Sequence, residues 1–464
     1  MRRETVTSVP TTPRIASQNG VVTKPRANEL SAVEAADAIR AGRLTSVALV
    51  DACLARIGER EAVVGAWQCL DAEAARDQAR RCDAEAPRGP LHGVPIGVKD
   101  IIDTEALRTE RGSAIYAGRR PAQDAACVTL ARQAGAIVLG KTVTTELAYF
   151  QPGKTANPLR PTHSPGGSSS GSAAAVADEM VPVAFGSQTA GSINRPASYC
   201  GIVGYKPTHG DVSLDGVLAF APSLDTLGVL ARSVADVALM RSVLRPASAP
   251  AHEVASERAC RVALCRTPWW NEAEADVRLG IEACAAQLAR LGIEVGEAAL
   301  PRGFEATAEA QRTVMAFEAA ASLAAEYEHH RDRLSAPLRD LIVAGRQIDR
   351  PHYEQALAAR DAWRAALAPV LARFDVLITP ATHGEAPAGL AATGDPLFSR
   401  AWTLLGTPTL TLPALHGRGG LPIGVQLVAE RGRDGLLLSV GAAVEAAIGF
   451  RHRPLTFRSA HEDP

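Results

Sequence analysis

Between Ser164 and Pro196 the chain reads SPGGSSSGSAAAVADEMVPVAFGSQTAGSINRP, with seven serines and five glycines in one stretch. A serine hydroxyl is a poor nucleophile until a base stands beside it. Glycines crowded before a serine let successive backbone N–H groups turn toward one point, as a tetrahedral oxyanion requires. His163 and His209 flank the stretch, but neither has an obvious acidic partner in the sequence. A lysine can take the place of histidine where burial lowers its pKa toward neutrality. Gly/Ser-rich segments are also commonly plain flexible loops. This one runs straight into apolar helix and strand patterns, which favours an embedded functional loop over a linker.

The elements that must position these residues alternate along the chain. Ser31 and Glu34 form an S-x-x-E capping box for a first helix. Val47, Val50, Leu54 and Ile57 mark a second at helical spacing. VPIGVKDII reads as a buried strand running into a turn, AIVLG as a short strand, GSAAAVADE as a helix and VPVAFG as a strand. Further on, RVALC (261–265), IEV, DVLITP (375–380), PTLTLP (408–413) and GVQLVA (424–429) read as strands. Helices are expected between them, including long ones over 303–331 and 353–373, and a last one over about 433–449. Strands separated by helices predict an α/β fold: a single large mixed sheet flanked by helices on both faces. The expected organisation is a polar tail over 1–25 and one large domain over 26–464, with a helical insertion around 300–370.

Composition narrows the function. The chain has 464 residues, 47% of them hydrophobic, and 49 basic against 50 acidic side chains for a net charge of -1. That excludes a polybasic nucleic-acid footprint. No run reaches the roughly 18 apolar residues of a membrane span. The eight cysteines contain no C-x-x-C pair and read as free thiols in a reducing, cytoplasmic setting. His329 and His330 are adjacent, which is poor geometry for a shared metal, and no H-E-x-x-H occurs. Neither metal nor cofactor is expected.

GGSSSGSAAAVA followed by GSQTAGSINRPASYCG resembles the amidase-signature family, whose pattern is a GGSSGGS block and then a GSDTGGSIR-type block. HGVPIGVKD, SLDTLG at 223–228 and GLPIGVQLVA fit the same family in order and spacing, so the resemblance runs from about Leu30 to the end. It implies a Ser–cis-Ser–Lys triad: Lys99 as base, Ser168 as proton shuttle beside a cis peptide, and Ser192, 24 residues further on, as nucleophile. It also implies an oxyanion hole from the backbone N–H groups of Thr189, Ala190, Gly191 and Ser192. Lysine chemistry then requires Lys99 neutral, with Asp100 beside it in sequence favouring the charged form.

The implied activity is hydrolysis of a C–N bond in neutral amides, extending to carbamates (urethanes) and esters, without cofactor. The expected partner is a small-molecule substrate, with a homodimer allowed and no nucleic acid or membrane. The alternative is an amidotransferase A-type subunit that generates ammonia from glutamine within a complex. This chain departs from the family pattern at Gln188, Ala190 and Asn194, where Asp, Gly and Arg are common. Gln188, Asn194 and Tyr149 are therefore candidate substrate contacts. The uncharged Asn194 points to neutral rather than carboxylated substrates.

Other motifs carry blander readings. GAIVLGKT (135–142) satisfies a P-loop pattern, but its middle is itself an apolar strand, and Lys141 reads as a structural residue. Ser169 and Ser170 read as supports of the loop, Asp225 as a residue that holds it, and Cys200 as a packed thiol. Trp269, Trp270, Phe304, Met315 and Phe317 read as core.

Overall fold

A computed structural model describes residues 25–245 and 260–450; the expected tail, apart from its last residue, lies outside them. Eleven strands follow in chain order: β1 (Trp67–Leu70), β2 (Pro95–Lys99), β3 (Ile137–Thr142), β4 (Val183–Gln188), β5 (Val203–Lys206), β6 (Thr226–Ala231), β7 (Arg261–Leu264), β8 (Glu294–Glu297), β9 (Val376–Pro380), β10 (Thr409–His416) and β11 (Pro422–Val428). They form one sheet in the order β1-β3-β2-β4-β6-β5-β10-β11-β9-β7-β8. Pairing is mixed. β2 runs parallel to β3 and β4, and β7 to β8 and β9, while the pairs through the middle are antiparallel.

The strands read as near-continuous apolar runs because both faces are covered. Ile96, Val98, Val138, Phe185 and Val229 pack into one core. Their neighbours Ile137, Leu139, Ala184 and Leu230 point the other way into a second core, which holds the helix Ser170–Ala177. Successive strand side chains alternate between faces, so one sheet feeds two apolar layers. The expected architecture, one mixed sheet with helices on both faces, is the one observed.

The helix signals hold where a cap can be read. Ser31 accepts from the Glu34 N–H and Glu34 reaches back, completing the capping box on Ala32–Arg40. Differences arise where local pattern is weak. The long helix expected over 303–331 divides into Thr307–Ser322 and Ala324–His330, because Leu323 (φ −107°, ψ 22°) leaves the helical region and buries its side chain. β6 was not legible as a strand. Gly228 interrupts it, and a Cβ there would lie 2.2 Å from the Tyr205 carbonyl oxygen on β5, so the glycine serves close strand approach. Between β8 and β9 the chain builds only helices, among them Thr307–Ser322, Ala336–Gln347 and Arg350–Leu371.

The Gly/Ser stretch packs as tightly as core. A Cβ on Gly171 would sit 2.2 Å from the Ala66 carbonyl oxygen and 2.3 Å from the Val143 nitrogen, both backbone. Gly171→Ala is therefore expected to lower stability by about 3 kcal/mol, the upper end of overpacking costs, read as a fall in thermal midpoint.

Candidate active site

Strand β2 lies between β3 and β4 at the centre of its half of the sheet, and Lys99 is its last residue. The side chain is fully buried. Lys99 Nζ lies 2.7 Å from Ser168 Oγ and 2.7 Å from Ser187 Oγ. Burial pushes the amine down to about 7, opposed by the negative charge of Asp225. The carboxylate acting on Lys99 is thus not its sequence neighbour. Asp100 pairs with Lys141 at 3.1 Å, because successive side chains at a strand end diverge. Lys141 also donates to Thr109 Oγ1 at 2.6 Å, a structural role that leaves no phosphate loop at 135–142.

Ser168 follows the cis peptide Gly167–Ser168 and is separated by Ser169 alone from the helix Ser170–Ala177. Its neighbours fasten this turn to the sheet. Ser169 Oγ donates to the Ser187 carbonyl and accepts from the Ser187 N–H, both at 3.2 Å. Ser172 Oγ donates to the Phe185 carbonyl at 2.8 Å. Ser169 is thereby consumed by backbone contacts with β4. Ser187, the second hydroxyl on Lys99, was not singled out by sequence reasoning. Its only signal is that it sits on β4, the strand paired parallel with the lysine strand.

Past β4 the chain turns through Thr189–Ile193 into the short helix Asn194–Cys200. Outside groups hold this turn by its carbonyls. Gln311 Nε2 donates to the Thr189 carbonyl at 3.0 Å, and Thr403 Oγ1 to the Ala190 carbonyl at 2.8 Å. In a trans peptide the C=O and the following N–H point oppositely. Pinning those carbonyls outward turns the N–H groups of Ala190 and Gly191 the other way, and among the described residues these two and the N–H of Ser192 have no partner. Thr189 Oγ1 donates to Asp225 at 2.5 Å, and Asp225 also accepts from the N–H groups of Phe220 and Ala221. Burial raises Asp225 to about 6 against these hydrogen bonds.

A cavity opens over this turn, lined by Ser168, Thr189, Ala190, Ser192 and Tyr149 among others. Of the candidates, Ser168, Ser192 and Tyr149 therefore share one cavity, with Lys99 behind Ser168. Gln188 and Asn194 do not reach it, and their reading as substrate contacts is corrected. Gln188 Oε1 accepts from the N–H groups of Ile193 and Asn194, and Nε2 donates to Thr403. It replaces an acidic residue at the start of a helix, where an acceptor is needed. Asn194 Nδ2 donates to Thr409 Oγ1 at 3.0 Å and Gln426 Oε1 at 2.5 Å, tying its helix to β10 and β11. The wall position belongs instead to Arg195, one residue on.

A sequence profile described as Amidase matches residues 48–438. The chain belongs to the amidase family. The A-type subunit of the glutamyl-tRNA(Gln) amidotransferase of Roseiflexus castenholzii is 34% identical over 92% of this chain and 97% of its own. The peptide amidase of Stenotrophomonas maltophilia is 31% identical, with a TM-score of 0.81 over 93% of this chain and 99% of that one. A 6-aminohexanoate cyclic dimer hydrolase superposes with a TM-score of 0.82 at 26% identity over 93% of this chain and 99% of that one. This amidase-family chain is thus an enzyme acting on C–N bonds. Among its described residues no helix is long and apolar enough to cross a membrane.

Proposed function

We propose that the chain hydrolyses a small amide through an acyl-enzyme on Ser192, with Ser168 and Lys99 as its proton relay. The observation carrying this reading is the buried Lys99 amine, lowered to about 7, at 2.7 Å from a hydroxyl that opens on the same cavity as Ser192. Ser192 Oγ attacks the carbonyl carbon while its proton passes to Ser168 and that of Ser168 to neutral Lys99. The oxyanion meets the inward N–H groups of the 189–192 turn, each such donor contributing about 3 kcal/mol. Ser168 returns a proton to the leaving nitrogen, the C–N bond breaks, and water repeats the sequence on the ester. Carbamates and esters fit the same steps, since an ester needs less help in expelling its leaving group.

A second reading is favoured by the relatives that are A-type amidotransferase subunits: release of ammonia from glutamine inside a complex. Both readings use one nucleophile. Ammonia and acid release by the purified chain alone, across amides, carbamates, esters and glutamine, separates them. Turnover of glutamine only, and only with added partner subunits, would overturn free-standing hydrolysis.

Asp225 gives an independent check. Its charge raises Lys99, so Asp225→Asn lets the lysine fall further. The alkaline-rising limb of kcat/KM is then expected to move to lower pH, whereas loss of the Thr189 contact alone would lower the plateau without moving the limb.

A further inference from the structure

The turn that bears Ser192 is held from behind by a chain of polar groups that ends in a charge. Gln311 is fully buried on the helix Thr307–Ser322. Its Nε2 donates to the Thr189 carbonyl at 3.0 Å and to Met315 Sδ at 3.7 Å, and its Oε1 accepts from Arg400 Nη1 at 2.6 Å. Arg400 is 6% exposed on the helix Leu397–Leu405, and its Nε has no partner. Burial lowers the guanidinium to about 10, and repulsion by Arg312 adds to it, so the group stays charged at neutral pH. Asp395 and Glu309 act on it only through space, and among the described residues no carboxylate pairs with it. An unmatched buried cation is costly. Here its hydrogen bond goes to a neutral carboxamide.

Chemistry fixes the direction of this chain. A guanidinium only donates, so the end of the carboxamide that meets Arg400 is oxygen, and the nitrogen then faces the Thr189 carbonyl. Guanidinium donates to carboxamide, and carboxamide donates to the peptide Thr189–Ala190. That peptide ends in the Ala190 N–H, which has no partner among the described residues and belongs to the turn under the cavity. Drawing electron density onto an amide oxygen strengthens the C–N double-bond character and makes the N–H a better donor. Hydrogen bonds in series polarise one another in this way, by about 10–30% per bond. The first donor here is a full charge, which roughly doubles the strength of the first link.

We infer that Arg400 and Gln311 are positioning residues for the oxyanion: the Arg400 charge, carried through the Gln311 carboxamide, strengthens the Ala190 N–H as a donor to the oxygen that turns negative when Ser192 attacks. This rests on the reading of Ser192 as nucleophile. Neither residue touches the substrate. A neutral carbonyl gains little from the stronger donor and an oxyanion gains much, so the effect belongs to the transition state and falls on kcat rather than KM.

The test reads the oxyanion directly. Trifluoroacetone labelled with ¹³C at its carbonyl adds to a serine hydroxyl as a hemiketal, whose ionisation is followed by NMR as pH is varied. In Arg400→Met the pKa of the bound hemiketal is expected to rise by about one unit, and kcat on any amide turned over to fall about 10-fold with KM nearly unchanged. That is a fraction of the roughly 10²- to 10³-fold lost with a whole donor. Arg400→Lys keeps the charge and is expected to hold much of both values. Gln311→Leu is expected to lose more than Arg400→Met, and the double variant no more than Gln311→Leu, because Arg400 acts only through Gln311. An unchanged hemiketal pKa in Arg400→Met, an equal rise in Arg400→Lys, or additive losses would overturn the relay of charge. Should Gln311→Leu fail to fold, the two Arg400 variants decide. A hemiketal that forms equally in Ser192→Ala overturns the nucleophile instead, a result separate from any shift in its pKa.

Discussion

Replacing Ser192 by alanine is expected to reduce kcat on any amide by about 10⁴- to 10⁶-fold while leaving the thermal midpoint within about a degree of wild type. The hydroxyl is the group that forms the acyl bond, so nothing else in the cavity replaces it, and members of one catalytic unit lose nearly everything together. The fold should not notice. Ser192 is 8% exposed at a cavity wall, and among the described residues its side chain has no hydrogen-bond partner. Surface-like truncation of one oxygen costs little. The contrast with Ser169→Ala is sharp. Ser169 bridges both backbone groups of Ser187 and should cost stability before activity. Full activity in Ser192→Ala with loss in Ser169→Ala would reverse the assignment.

Lys99→Met is expected to lower kcat/KM by about 10³- to 10⁴-fold, the contribution of a positioned general base. In the wild type the profile should rise with pH through about 7 and level off, since only the deprotonated amine accepts from Ser168. The variant's residual rate should lack that limb. Stability carries the same signature. An unfolded lysine titrates near 10.5 and the folded one near 7, so between these values the unfolded chain holds one more proton. Unfolding free energy therefore rises with pH across that window, and Lys99→Met should flatten this part of the dependence. A wild-type rate profile falling above pH 7, or an unchanged stability slope in the variant, would show that the buried amine is charged.

What could be read before the fold was known divides along physical lines. Caps and apolar runs are local, so the Ser31–Glu34 box and the strand VPIGVK were legible. β6 was not, because its glycine answers to Tyr205 on a neighbouring strand rather than to its own sequence. At the site, Lys99 and Ser168 were named from motif resemblance, and the structure puts them in contact. Ser187 was missed because only strand pairing places it on the lysine. Gln188 and Asn194 were misread because a departure from a family pattern marks a changed environment, not its direction. Both turned out to face inward, toward Thr403 and Gln426. The cavity wall is reached instead by Arg195, one residue beyond Asn194, and sequence shows no sign of which of two adjacent helix residues faces a cavity.

The groups around Ser192 come from two separate parts of the chain. Lys99, Ser168 and Ser187 belong to the sheet and the helix packed on it, whereas Gln311 and Met315 arrive from the helix Thr307–Ser322 between β8 and β9. Gln311 is the thread that reaches the nucleophile turn: it takes the Thr189 carbonyl with one end of its carboxamide and Arg400 with the other. Remodelling of the helical half can therefore exchange what the enzyme selects while the proton path stays in place, as long as some donor still reaches Thr189. A duplicated copy of such a gene could drift to a new substrate by changing its helices alone, and Gln311 is a position at which that freedom narrows.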